Sequence, residues 1–129
     1  MIVDTSVLVA VLRGEPDADV WLEALAAADR LAVAAPTALE AAIVLGPPRH
    51  AELDALLEAA AAEVVPFDAE HARVARVAYA RYGKGSGSAA RLNLGDCFSY
   101  ALATVSSEPL LFKGDDFTHT DVVAATLPG

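Results

Sequence analysis

Cysteine is almost missing from this chain: of 129 residues, only Cys97 carries a thiol. A single thiol excludes an internal disulfide framework and suits a reducing compartment. With no His/Cys spacing around it, it also excludes a zinc centre, which needs clustered ligands. Aromatics are few, one Trp, three Tyr and four Phe, so an aromatic-rich binding surface is not expected. No apolar run reaches the roughly 18 charge-free residues that a membrane span requires. The opening Met1-Ile2-Val3-Asp4 lacks the basic stretch that begins a signal peptide. Together these absences point to a cytoplasmic setting with no membrane contact. Positive charge is scarce too: nine Lys/Arg stand against eighteen Asp/Glu, a formal net charge of −9. Taken alone, that balance argues against a nucleic-acid binder, whose affinity comes largely from neutralising phosphates.

What is present is a core. Hydrophobic residues make up 55% of the chain and charged residues 21%, enough to bury an interior rather than stay disordered. Alanine supplies much of the apolar share, which suits closely packed helices. There is no internal repeat and no convincing linker, so residues 1–129 read as one domain. The cations are also concentrated. From His71 to Gly95 there are five, Arg73, Arg76, Arg81, Lys84 and Arg91, and no acid. Such a stripe can meet a polyanion while the acidic remainder repels it elsewhere, or it can simply keep an Ala-rich helix face solvated.

The pattern alternates strands with helices. Short apolar runs at Met1–Val3, Leu31–Ala35, Val64–Phe67 and Pro109–Phe112 read as buried strands, with Val122–Leu127 as a last short one. Between them lie helical periodicities: Val7–Leu12 with Thr5-Ser6 as cap candidates, Asp17–Ala28, a helix from Thr37 to about Gly46, Arg49–Ala62, a long one opened by Asp68 and closed at Tyr82, and one from Asn93 to about Val105. Gly83-Lys84-Gly85-Ser86-Gly87-Ser88 is a flexible loop. This order predicts an α/β fold with a central, mainly parallel sheet covered on both faces. In such sheets ligands bind outside the carboxyl ends of the strands, at the topological switch point.

Four acids fall at those places: Asp4 after the first strand, Glu40 after the second, Asp96 at a helix start and Asp115 after the fourth. Each has a purely structural reading. Thr37-x-x-Glu40 and Asn93-x-x-Asp96 match capping boxes, Asp4 suits a helix N-terminus, and Asp115 or Asp116 can cap the following turn. As a set they mean something else. Carboxylates that converge repel one another unless a cation neutralises them, and oxygen-only ligands favour Mg²⁺ or Mn²⁺.

Four segments in this order carry a family likeness: Met1-Ile2-Val3-Asp4-Thr5-Ser6, Pro36-Thr37-Ala38-Leu39-Glu40, Leu92-Asn93-Leu94-Gly95-Asp96-Cys97, and Leu111-Phe112-Lys113-Gly114-Asp115-Asp116-Phe117. Over nearly the whole chain it resembles the PIN domain, and more narrowly the VapC-type ribonuclease toxins of toxin–antitoxin systems. The resemblance implies a three-layer α/β/α fold, metal-dependent endonucleolytic cleavage of RNA, inhibition by a cognate antitoxin protein, and a homodimer. Carried over by position, Asp4 and Asp96 would be the principal metal ligands, and Glu40 would bind metal or activate water. Asp115 would be the fourth acid, chosen over Asp116 because Asp116 sits beside Phe117, a residue expected to anchor in the core. The cation, Mg²⁺ with Mn²⁺ as the alternative, would orient the scissile phosphate and lower the pKa of a water. In-line attack would leave 5′-phosphate and 3′-hydroxyl ends. Lys84 and Arg91, flanking the Gly/Ser loop before Asp96, would hold RNA phosphates near the metal. His50, His71 and His119 read as surface or cap residues, and Cys97 as a buried small side chain without a partner base.

Three other readings compete. A haloacid dehalogenase-like phosphatase uses a strand-end Asp-x-Asp, but Ser6 stands two residues after Asp4. A phosphorylatable receiver module also uses strand-end acids and would find its lysine in Lys113, yet its paired acids after the first strand are absent. A catalytically silent protein-binding domain would keep the helical surfaces and lose the chemistry.

Overall fold

A computed structural model describes every residue from Met1 to Gly129. Its elements alternate as expected: β1 (Ile2–Val3), α1 (Thr5–Leu12), α2 (Ala18–Ala27), β2 (Leu31–Ala34), α3 (Ala35–Leu45), α4 (His50–Ala59), β3 (Ala62–Val65), α5 (Ala69–Tyr82), α6 (Leu94–Ser106) and β4 (Leu110–Leu111). Single 3₁₀ turns occupy Pro47–Arg49 and Asp116–His119. The four strands form one all-parallel sheet in the order β3-β2-β1-β4.

Alternation along the strands divides the interior in two. Ile2, Ala32, Ala34 and Leu110 turn to one face, where they join Ala78 and Tyr82 of α5 and Tyr100, Leu102 and Ala103 of α6. Val3, Leu31, Val33 and Leu111 turn to the other and meet Val7, Leu8, Trp21, Leu25 and Leu53 from α1, α2 and α4. The result is the predicted α/β/α sandwich, its central strands apolar on both faces. No helix is long and apolar enough to cross a membrane.

The chain runs β1, β2, β3 toward one edge, and β4 then joins the other side of β1. The switch point therefore lies between β1 and β4, and Asp4 stands there: its N–H donates to Leu111 O at 3.0 Å.

Several sequence expectations move. The first helix opens at Thr5, capped by Asp4 itself, whose side chain accepts from Ser6 N. Thr37 caps nothing, because α3 already begins at Ala35, with Pro36 in its first turn, and carries Thr37 inward to full burial. Strand β3 is displaced toward the N-terminus: it ends at Val65, since Pro66 has no N–H to continue a ladder. The last expected strand, Val122–Leu127, shrinks to one bridge between Leu110 and Ala124, because β4 is only two residues long. Within α2, Trp21 and Leu25 are buried while Val20 is exposed.

Candidate functional site

Asp4 is the most deeply placed of the acids, 4% exposed at the end of β1. A buried carboxylate needs donors, and three hydroxyl or amide groups supply them. Ser6 gives both its N–H (3.0 Å) and its Oγ–H (2.7 Å) to Asp4 Oδ2. Ser99, a fully buried residue of α6, donates to Asp4 Oδ1 at 2.5 Å. Ser99 stands 3.4 Å from Thr37 Oγ1, so a buried hydroxyl pair ties α6 to α3 behind the carboxylate.

Glu40 reaches the same place from α3. Thr5 Oγ1 donates to Glu40 Oε1 at 2.5 Å, and the carboxylate lies against Gly95. A Cβ on Gly95 would stand 1.8 Å from Glu40 Oε2, so glycine here is a matter of space. The next residue is Asp96. Its capping box with Asn93 is real: Asp96 N donates to Asn93 Oδ1 at 2.9 Å, and Asn93 N donates to Asp96 Oδ2 at 3.0 Å. The cap fixes the side chain without exhausting it, since Oδ1 takes no protein donor.

Asp4, Glu40 and Asp96 line one open cavity of about 320 Å³ at the carboxyl ends of the strands, together with Thr5, Ser6 and Asn93. Asp96 registers its neighbours. Burial first, then the charges of Asp4, Asp116 and Glu40, push its carboxyl up to about 7, against the pull of the Asn93 bond. Cys97 beside it is buried, its thiol raised to about 11 by burial and by Asp96, which removes it as a nucleophile near neutral pH.

Of the two aspartates in the turn after β4, Asp116 is the one whose charge reaches Asp96. Phe117 does anchor in the core, 3% exposed, but it does so from within a 3₁₀ turn. That turn sends the Asp116 charge toward Asp96, while Asp115 sits at the head of the turn, its carbonyl accepting from Thr118 Oγ1; neither side chain lines the acidic cavity itself. Lys84 and Arg91 line an adjoining cavity of about 340 Å³ with Asp116 and Asn93, and Asn93 belongs to both walls.

Sequence reasoning passed over the residues that hold the acids. Ser99 lies one helical turn after Asp96, a spacing that puts it on the same face and was the available signal. Glu15 was also passed over, and Lys113 was weighed only as the lysine of a receiver module. Both stand on the acidic cavity's wall, joined by an ion pair, and Lys113 Nζ also donates to Asp17 Oδ1 at 2.9 Å. The bond to Glu15, then that to Asp17, holds the ammonium above its ordinary pKa, and the Lys113 bond holds Asp17 below its own.

The donors available to a metal are all carboxylate oxygens, with Asp96 Oδ1 and Glu40 Oε2 free of protein donors. In this side-chain arrangement no three acids are gathered tightly enough to close on one ion. The chemistry of the donor set fits a hard divalent cation, and the charges of Asp4, Asp116 and Glu40 add to burial in raising Asp96.

The PIN domain family model matches residues 1–123. Two Mycobacterium tuberculosis proteins, ribonuclease VapC42 and ribonuclease VapC28, are 49% and 50% identical to this chain, covering 95% and 97% of it and 96% and 97% of their own lengths. Among solved structures, the M. tuberculosis toxin VapC20, described as cleaving the sarcin–ricin loop, superposes with a TM-score of 0.77 at 15% identity, over 96% of this chain and 97% of that one. A toxin–antitoxin complex from Klebsiella pneumoniae gives 0.71 at 19% identity, over 96% and 95%. The strand order, the acids at the switch point and these likenesses agree: the chain belongs to the PIN domain family and is similar throughout to the VapC ribonucleases.

Proposed function

We propose that this protein is an endoribonuclease and the toxin of a toxin–antitoxin pair, hydrolysing RNA with Mg²⁺ or Mn²⁺ at the acidic cavity. The observation that carries the reading is Asp96: it shares one cavity with Asp4 and Glu40 and feels the charges of both and of Asp116. The ribonuclease names of relatives near 50% identity support RNA as the substrate.

Asp4 and Asp96 would hold the cation, Asp4 through oxygens steadied by Ser6 and Ser99, Asp96 through the oxygen its cap leaves free. A hard divalent ion bound there supplies charge to orient the scissile phosphate and stabilise the negative charge that develops on it. Glu40, fixed by Thr5 and by contact with Gly95, assists at the metal or accepts a proton from the attacking water. Water adds to phosphorus and the bond to the 3′ oxygen breaks, leaving 5′-phosphate and 3′-hydroxyl ends. Lys84 and Arg91, one wall away, meet the flanking phosphates and offset the repulsion of a chain with net charge −9.

Residues 1–129 act as a single domain, supported by one sheet with a core on each face. The partner is a cognate antitoxin. Leu39, Ile43, Val44 and Leu94 are exposed on α3 and at the start of α6, and Val44 lines the cavity itself, so an apolar helix can seat there and close the site. The acidic body favours a basic partner. A homodimer and a cytoplasmic location complete the reading.

The test is to sequence RNA ends after induction of the wild type and of Asp96→Asn. Discrete 5′-phosphate ends that vanish in the variant are expected. Identical end profiles in both would refute the reading in favour of a silent binding domain.

A further inference from the structure

The acidic cavity has one cation on its wall, Lys113. Its backbone is fixed to the centre: Lys113 N donates to Ser6 Oγ at 2.9 Å, and the same hydroxyl donates to Asp4 Oδ2 at 2.7 Å. One oxygen thus links the second residue after β4 to the deepest acid. The head group is fixed as well, donating to Asp17 Oδ1 at 2.9 Å and to Glu15 Oε2. An ammonium has three donors, so one remains for a further acceptor. A long flexible side chain clamped in this way has given up its rotamer freedom before any ligand arrives, which is the requirement for a preorganised anion contact.

A purely structural latch is a weak explanation of this arrangement. The side chains of Lys113 and its two partners are each about one-third exposed (33%, 33% and 37%), and ion pairs at that exposure add little to stability. The need for positive charge is plain, however. A phosphodiester entering this cavity meets Asp4, Glu15, Glu40 and Asp96, and Lys113, paired with Glu15 and Asp17, is the only cationic side chain on the wall.

We propose that Lys113 contacts a non-bridging oxygen of the RNA phosphate undergoing hydrolysis, with Glu15 and Asp17 positioning its ammonium. This deepens the ribonuclease reading and rests on it for the identity of the phosphate.

The test compares Lys113→Met, which keeps the length and loses the charge, with Lys113→Arg. Single-turnover cleavage of a short RNA in Mn²⁺ is measured beside calorimetric binding of adenosine 5′-monophosphate in Mn²⁺ and of Mn²⁺ alone. Lys113→Met is expected to slow cleavage by about 10²–10³-fold, the usual loss for a donor to developing phosphate or acyl charge. It should weaken the nucleotide about tenfold and leave Mn²⁺ binding as tight as in the wild type or tighter, since a nearby positive charge is gone. Lys113→Arg should recover part of the nucleotide affinity. Wild-type behaviour of Lys113→Met overturns the inference. So does a loss matched by an equal fall in Mn²⁺ affinity, which makes Lys113 a structural residue, and so does a wild type that binds no nucleotide. A wild type that cuts no RNA but holds the nucleotide through Lys113 removes the ribonuclease reading and leaves the phosphate contact standing.

Discussion

Asp96 is both a helix cap and a member of an acidic cluster, and the two roles use different oxygens. Oδ2 closes the capping box with Asn93, while the whole carboxylate feels Asp4, Asp116 and Glu40. Asp4 and Asp96 thus each cap a helix and line the acidic cavity, whereas Glu40 lines the cavity and caps nothing, against the Thr37-x-x-Glu40 expectation. The fourth acid shows the limit of such reading. Two adjacent aspartates in an exposed turn differ only in which way the turn sends them, and the 3₁₀ geometry of Asp116–His119 has no distinct sequence signature. Asp116→Asn is expected to lower RNA cleavage by about tenfold or more, while Asp115→Asn stays within about twofold of the wild type, consistent with the small effects of surface changes away from a site. Steady-state cleavage by the two variants checks this, and the reverse ranking would return Asp115 to the site.

At the scale of elements, the acids were legible because strand ends were legible. Short apolar runs ended by Asp4 or Pro36, and the Asn93 cap, mark where β1 and β2 hand over and where α6 begins. The supporting hydroxyls were not, since Ser6, Thr5 and Ser99 matter only through contacts between α1, α3 and α6 that no local period encodes. Gly95 is the clearest case of an element shaped for a neighbour. In the first turn of α6 an alanine gains helix propensity, about 0.5–1 kcal/mol. Its Cβ would also displace the Glu40 carboxylate, the mobile end of a flexible side chain. Gly95→Ala is therefore expected to change stability by less than about 1 kcal/mol and to cut cleavage at least tenfold, a split that thermal unfolding and a cleavage assay resolve. Unaltered cleavage would mean that the position of Glu40 is unimportant.

For the whole molecule, topology accounts for the gathering of charge. With β4 added beside β1 and β2 on its other side, the loops after all three strands open at one end of the sheet. Residues as distant as Asp4, Glu40 and Asp116 then act on the Asp96 carboxyl. Overall composition points away from a polyanion substrate, whereas Lys84 and Arg91 stand together in the cavity that adjoins the acidic one. The proposed chemistry requires a cation to replace a proton at Asp96. The carboxyl lies at about 7, so it is mostly protonated at pH 6 and mostly ionised at pH 8, and a metal must compete with the proton at the lower pH. Calorimetric titration with Mn²⁺ at the two pH values measures this directly. Binding should tighten by roughly tenfold from pH 6 to pH 8, as expected when one ligand ionises between them, and Asp96→Asn should weaken it and flatten the dependence. Mn²⁺ binding that is absent, or equal at both pH values and untouched by Asp96→Asn, would contradict it.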